Sequence, residues 1–437
     1  MKITILFRYL FLVFTIVPSS MAQSYVTYNQ DIADILNRNC ISCHQSGGIA
    51  PFSLETFQDA SQKSFWIEHV TSNRIMPPFP IDGSGQCQTF KDVKWLTQNE
   101  LSLISDWTNS GAQEGSGTAP EPPTNIDPVL PEIDAVIGMN QTYMPSSSNR
   151  QDDYRCFLLD NPEGLDKYIT GFRVSPGNTR IAHHAILFAL QSEADEILAQ
   201  ELDDQDPGYG YTCFGGAMVN ASIIAGWAPG TGATLFPDGT GVKALGKRKY
   251  ILQMHYNLRS GPGQSDRSIV ELDLEDQVAE KIQMSFLGAS SGYTIPGGQD
   301  NASLEIPYQF RGELKLWGVY PHMHLYGKSI SIKKKDPSLD NACMAQVDRW
   351  NFNWQRAYFY ETPFKIKAGE EFSIKCGFDT RNAPGDVKLG HGTDDEMCIM
   401  GVYYQWRTAT GVDEYSGAGS HESNNWLMDE VRRQSVW

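Results

Sequence analysis

Basic side chains are scarce in this sequence: 35 lysines and arginines stand against 52 aspartates and glutamates, a formal charge of -17. Nucleic-acid binding leans on clustered Lys and Arg, so the balance argues against a polyanion partner. The one basic run, Lys333-Lys334-Lys335, reads as a solvated strand end. Long apolar runs are missing as well. Beyond the first residues none approaches the length of a membrane span, and no span is expected. Helical periodicity is scarce after the N-terminal quarter, with Glu193 to Glu201 the clearest exception, which excludes a helical bundle or a βαβ fold for most of the chain. At 437 residues the chain is too long for one core and suggests roughly two to four domains.

What is present begins with an export signal. Lys2 and Arg8 precede an apolar run, Tyr9 to Val17, and a small-residue end, Ser20-Met21-Ala22. This is the layout of a secretory signal peptide over residues 1–22, cleaved before Gln23. The mature protein is expected to be periplasmic or secreted, where its eight cysteines are able to form disulfides.

Two of those cysteines have another use. Cys40-Ile41-Ser42-Cys43-His44 is a C-x-x-C-H sequence, the pattern of covalent c-type haem attachment, in which both thiols bond the porphyrin and His44 ligates the iron. Met76, on the proline-rich stretch Met76-Pro77-Pro78-Phe79-Pro80, is the expected distal ligand, and His69 is its rival. Helices are expected at Asn29–Asn39, Phe57–Thr71 and Thr97–Ser110. Residues 23–115 thus look like a small cytochrome c domain, and residues 116–132, rich in Gly and Pro, read as a linker.

Beyond the linker, short alternating runs bounded by Gly, Pro, Asn and Asp recur: Tyr168–Val174, His184–Leu190, Tyr250–Leu258, Gly312–Val319, Ser329–Lys333, Glu371–Phe378 and Cys398–Trp406. They predict antiparallel β-sandwiches. Two are expected, over 133–275 and 276–437, with a seam near Leu274 to Lys281.

Five of the nine histidines fall in three of these apolar stretches: His183-His184, His255 in Leu252-Gln253-Met254-His255-Tyr256, and His322-Met323-His324. A lone buried imidazole is usually satisfied by hydrogen bonds. A His-His pair plus a His-x-His pair is better read as metal ligation, because residues i and i+2 of a strand share a face. Imidazoles suit Zn, Cu, Fe or Ni, and a thioether selects for Cu(I). Met397, at a polar-to-strand junction beside Cys398, is the thioether candidate. His391, in a Gly-rich turn near Met397, reads as a turn residue, the alternative being a place behind the metal ligands; His421 lies in the Gly/Ser/Asn-rich tail.

The ordered set His183-His184-Ala185-Ile186-Leu187-Phe188, Leu252-Gln253-Met254-His255-Tyr256, His322-x-His324-x-x-Gly327-Lys328 and Gly392-Thr393-Asp394-Asp395-Glu396-Met397-Cys398 resembles the copper type II ascorbate-dependent monooxygenases, over roughly residues 140–410. The resemblance implies a mainly β fold of two jelly-roll-like antiparallel β-sandwiches, preceded here by the small α-helical cytochrome c domain. Each sandwich would hold one copper across a solvent-filled cleft: an electron-transfer copper on His183, His184 and His255, and an oxygen-binding copper on His322, His324 and Met397. It also implies disulfides Cys376–Cys398 and Cys156–Cys213, and a role near substrate for Gln253. Cys87 and Cys343 are left over, either free or bridged to each other.

Departures from the family pattern bear on substrate. Tyr320 stands where the peptide-hydroxylating members have a carboxylate-gripping arginine, and Ile399 and Gly401 replace polar residues. A glycine-extended peptide is therefore not expected; a small apolar or aromatic molecule is. The expected activity is O2-dependent hydroxylation of a C–H bond, with electrons reaching the coppers from an external donor through the fused haem. An exported electron-transfer or copper-holding protein is the rival, and a binding module with vestigial metal sites is a third reading.

Overall fold

Three short helices open the structure, and the sequence explains where each begins. Thr56 caps α2 (Phe57–Ser72) and Thr97 caps α3 (Gln98–Asn109), each reciprocated by an acid three residues on, Asp59 and Glu100. The preceding α1 (Ala33–Asn39) continues from a π-helical turn at Tyr28–Ile32. Ile32, Leu36, Ile41, Leu54, Ile67, Ile104 and Trp107 form their shared core. This computed structural model describes residues 25–407 apart from 47–49, 79–80, 123–128, 147–151, 162–163, 165, 229–230, 245–247, 259–262, 311 and 393. The expected signal peptide, the Gly47-Gly48 loop, Thr393 and the tail with His421 lie outside the described residues.

The start of the expected linker does not stand away from the helices. Asn29 Nδ2 donates to Gly117 O at 2.8 Å and Asn37 Nδ2 to Pro120 O at 2.9 Å.

The rest is mainly β. The first half contains β1 (Ala135–Gly138), β2 (Asp152–Leu159), β3 (Lys167–Ser175), β4 (Ala182–Leu190), β5 (Tyr211–Thr212) and β6 (Ala221–Trp227), then β7 (Thr234–Leu235), β8 (Thr240–Ala244), β9 (Tyr250–Asn257) and β10 (Ile269–Glu275). The helix α4 (Glu193–Gln205) falls between β4 and β5. The second half contains β11 (Glu280–Ala289), β12 (Thr294–Ile295), β13 (Ala302–Gln309), β14 (Glu313–His322) and β15 (Gly327–Lys334). It ends with β16 (Cys343–Val347), β17 (Tyr358–Ile366), β18 (Glu371–Phe378), β19 (Val387–Lys388) and β20 (Cys398–Arg407).

A five-stranded sheet, β5-β2-β9-β4-β6, carries the first histidines, and β13-β18-β15-β16 closes the second half. Between them runs one nine-stranded sheet, β1-β10-β3-β8-β11-β20-β14-β17, with β7 beside β3. The parallel pairing of β8 with β11 makes that sheet continuous across both halves. One apolar core likewise joins Phe157, Leu187 and Leu252 of the first half to Trp317, Tyr320, Phe359 and Tyr403 of the second.

Lys333-Lys334-Lys335 corrects one expectation. Lys334 is buried and paired with Glu370 at 2.8 Å, while Lys335 is exposed and paired with Glu371. Strand alternation turns the middle lysine inward, where only a partner makes its charge tolerable.

Candidate metal centre

Two β-bulges aim the histidines. Consecutive residues of a regular strand face opposite sides, so His183 and His184 should not share a metal. The ladder between β4 and β9 shifts register between Ala182 and His184, placing His184 opposite His255 and leaving His183 as the extra residue. Both imidazoles then approach His255. Nδ1 of His184 lies 3.3 Å from Nδ1 of His183 and 3.3 Å from Nδ1 of His255, and one ring nitrogen from each lies within 4.8 Å of the others. His255 Nε2 is 2.9 Å from Asp152 Oδ1. A carboxylate only accepts, so Nε2 carries the proton and the Nδ1 lone pair faces the other two histidines.

The second bulge lies between Leu316 and Gly318 of β14. Leu314, Leu316, Val319 and Met323 all enter the core of the second half, a parity change that the bulge accounts for. Tyr320 and His322 therefore face the first half. The strand ends at His322, and His324 lies in the turn that follows. Their rings are 5.2 Å apart and perpendicular. Pro321 pairs with Met400 of β20, while the pairing of β14 with β17 stops at Val319.

The β14–β20 ladder pairs His322 with Ile399. Met397 is buried immediately before β20, next to Glu396, whose carboxylate accepts from the His324 N–H. His322 Nδ1 donates to Gln355 Oε1 at 2.6 Å and His324 Nδ1 to the carbonyl of Asp395 at 3.1 Å, leaving both Nε2 lone pairs available. Buried Glu396 accepts from the backbone N–H groups of His324, Tyr326 and Met397, joining the histidine turn to the methionine. Burial pushes its carboxyl up to about 7 against those bonds.

Burial, reinforced by the neighbouring rings, lowers all five imidazoles: His183 to about 4, His324 to about 3, His184 and His255 well below the ordinary value, and His322 in the same direction by burial. They are neutral at pH 7, the form that ligates metal.

The two groups are not separated by a solvent-filled cleft, as the resemblance implied. The rings of His184 and His322 lie 6.1 Å apart, and Phe352 stacks on His183 at 4.3 Å with its edge to His324 at 5.9 Å. The shared core and the sheet continuity hold the halves together. His391 lies in a bend, as expected, and is half-buried in this junction. Tyr154, which stacks on His255 at 4.0 Å, donates to the His391 carbonyl at 2.9 Å. The His391 ring packs on Gly215, where a Cβ would come within 2.7 Å and where φ is +80°.

Tyr320 is 6% exposed and packed between Gly401 and Gly226, so in this conformation it lies in the core. Gln253 Nε2 donates to the carbonyls of Cys213 and Gly216, holding that loop on β9. The disulfides Cys156–Cys213 and Cys376–Cys398 are present, and Cys87 is bridged to Cys343.

In the helical region Cys40 and Cys43 are outside any disulfide, and burial pushes the Cys40 thiol up to about 12. His44 Nδ1 lies 3.1 Å from the carbonyl of Phe52, an arrangement that leaves Nε2 free for a metal. Met76 follows α2, whereas His69 lies within it and contacts the exposed rings of Phe65 and Trp66.

Sequence reasoning passed over Asp152, Phe352, Gln355 and Glu396. Glu396 had a signal, its place beside Met397; the others are brought in only by tertiary contact.

Residues 291–421 match the family model described as copper type II ascorbate-dependent monooxygenase, C-terminal domain. The chain is similar to tyramine beta-hydroxylase of Caenorhabditis briggsae, 21% identical over 72% of this chain and 54% of that protein. It is similar to peptidyl-glycine alpha-amidating monooxygenase A of Xenopus laevis, 25% identical over 58% of this chain and 26% of that protein. DBH-like monooxygenase protein 1 of Mus musculus is 24% identical over 65% of this chain and 49% of that protein. The chain spans about half the length of these relatives, or less. Residues 291–421 thus match the C-terminal domain of the copper type II ascorbate-dependent monooxygenases, and the chain is similar over a longer stretch to these relatives.

Proposed function

We propose that this protein is an O2-dependent copper monooxygenase that hydroxylates a C–H bond of a small apolar or aromatic substrate. The observation that carries the reading is the meeting of five buried, neutral imidazoles in a chain similar to these monooxygenases: three around His184, and two whose Nε2 atoms are left available. The donor sets fit copper, since imidazole suits the metal and the thioether of Met397 favours its reduced form. His183, His184 and His255 would hold one ion, and His322, His324 and Met397 the other. Bound copper supplies one-electron redox chemistry and O2 binding.

The chain's own groups do the rest. Asp152 holds the proton of His255 at Nε2, Gln355 and the Asp395 carbonyl hold those of His322 and His324 at Nδ1, Phe352 covers a ring of each group, and Tyr154 covers His255. Phe214 and Met218, exposed on the loop beside Tyr154, offer an apolar approach consistent with the substrate class.

The same proposal gives the helical region a c-type haem on Cys40, Cys43 and His44, with Met76 as distal ligand, relaying electrons from an external donor. The reduced state of these two thiols in a chain whose other six cysteines are bridged supports it. Those three disulfides also support an exported, oxidising setting. Among the described residues no helix is long and apolar enough to cross a membrane.

A stopped-flow experiment tests the reading: the reduced, copper-loaded protein is mixed with O2 and candidate apolar substrates while haem absorbance and hydroxylated product are followed. Substrate-accelerated haem reoxidation with product is expected. The buried closeness of the two histidine groups also suits an electron-transfer or copper-holding protein, and reoxidation that no substrate accelerates, without product, would favour that reading.

A further inference from the structure

One loop, residues 348–357, touches both histidine groups, although it contains neither helix nor strand. Phe352 stacks on His183 and meets His324 edge-on. Trp350 Nε1 donates to the carbonyl of His324 at 3.0 Å. Gln355, only 3% exposed, accepts from His322 with its oxygen while its nitrogen donates to the Phe352 carbonyl at 2.8 Å. That second bond fixes which way the amide points, so the Gln355 oxygen faces His322 and selects the tautomer with a bare Nε2.

The roots of this loop are β16 and β17, which belong to different sheets. The segment after α2 spans both. Ile81 bridges to Val347, the Asp82 N–H donates to Gln346 O at 2.8 Å, and Cys87 is bonded to Cys343. Farther along, the Glu361 N–H donates to Thr89 O, the Lys91 N–H donates to Phe359 O, and Phe90 packs between Tyr358 and Tyr360. Residues 81–91 thus strap the two sheet edges from which the loop springs. At the far end of the strap, Lys94 bonds Ser42, inside the C-x-x-C-H sequence.

We propose that residues 348–357 are the positioning loop of the metal centre, that Gln355 is the positioning residue for His322, and that the strap 81–91 holds this loop in place. The N-terminal region then sets the affinity of the second histidine group through the strand ends that root this loop, separately from any electron it delivers. The inference rests on the proposed function in taking these histidines as copper ligands.

Two measurements on the full chain test it. In the metal-free protein with nitrogen-labelled histidine, NMR reads the His322 tautomer. Gln355→Leu is expected to release it from the Nδ1–H form, and Gln355→Glu, which still accepts, to retain it. In competition with a chromophoric chelator for Cu(I), Gln355→Leu should weaken one of two bound equivalents about 10- to 100-fold, with Gln355→Glu near wild type. Cys87→Ser/Cys343→Ser should weaken that same equivalent several-fold and speed amide exchange in residues 348–357. An unchanged tautomer and affinity in Gln355→Leu overturn the role of Gln355, as does a Gln355→Glu variant no better than Gln355→Leu. Unchanged affinity and exchange without the disulfide overturn the strap. If wild type takes up no copper, the proposed function fails, while the tautomer measurement still decides whether Gln355 positions His322.

Discussion

The two histidine groups are built by opposite means. His184 and His255 are directly paired residues on the neighbouring strands β4 and β9, with the bulge adding His183, so the backbone ladder itself makes the first group. The second is assembled from three places: the end of β14, the loop 348–357 that holds His322, and the turn before β20 that holds His324 and presents Met397. Their nitrogens differ too, with Nδ1 facing inward at His255 and Nε2 left available at His322 and His324. A group fixed by ladder hydrogen bonds resists change in geometry, which suits the electron-transfer role proposed for the first group. One held by side chains on loops yields more readily, which suits the ligand exchange proposed for the second group.

If this contrast is right, the largest effect comes from His184→Ala. It removes the nitrogen shared by both close contacts of the first group, and metal analysis should show one bound ion lost and the second retained. Loss of both would mean that the groups form a single site. Next, Met397→Leu should keep the ion of the first group and abolish substrate-dependent O2 consumption, read with an oxygen electrode; retained consumption would remove the thioether from the chemistry. Asp152→Asn should weaken copper at the first group about 10- to 100-fold, and a chelator titration showing the loss at the second group instead would reverse the assignment. The smallest effect is that of Trp350→Phe. It deletes the bond to the His324 carbonyl and should cost about 1 kcal/mol in denaturant unfolding, with affinity at the first group unmoved.

The strands and the candidate histidines were legible because alternation and His spacing are local signals. The runs around Tyr168, Tyr250 and Glu371 became β3, β9 and β18 with ends within a residue or so. The bulges were not legible. Nothing in Ala182-His183-His184 announces an extra residue, and Gly318 only permits the close approach of the Tyr358 carbonyl. Yet the bulges decide which way His183, His322 and His324 point. Asp152 escaped because it meets His255 across 103 residues of sequence, and Phe352 and Gln355 because an irregular loop has no period to read. The parallel contact of β8 with β11 escaped because three paired residues leave no pattern.

The bridge between Cys87 and Cys343 has a consequence for how the molecule is made. It closes a covalent ring with a sequence separation of 256 that encloses all five clustered histidines. During synthesis Cys87 emerges long before its partner, in the company of Cys40 and Cys43. A nascent chain in an oxidising compartment can therefore pair Cys87 with the wrong thiol while the right one does not yet exist. On the proposed haem reading, prompt attachment to Cys40 and Cys43 would remove those competitors, and cofactor insertion would be an early step that protects the later closure of the ring.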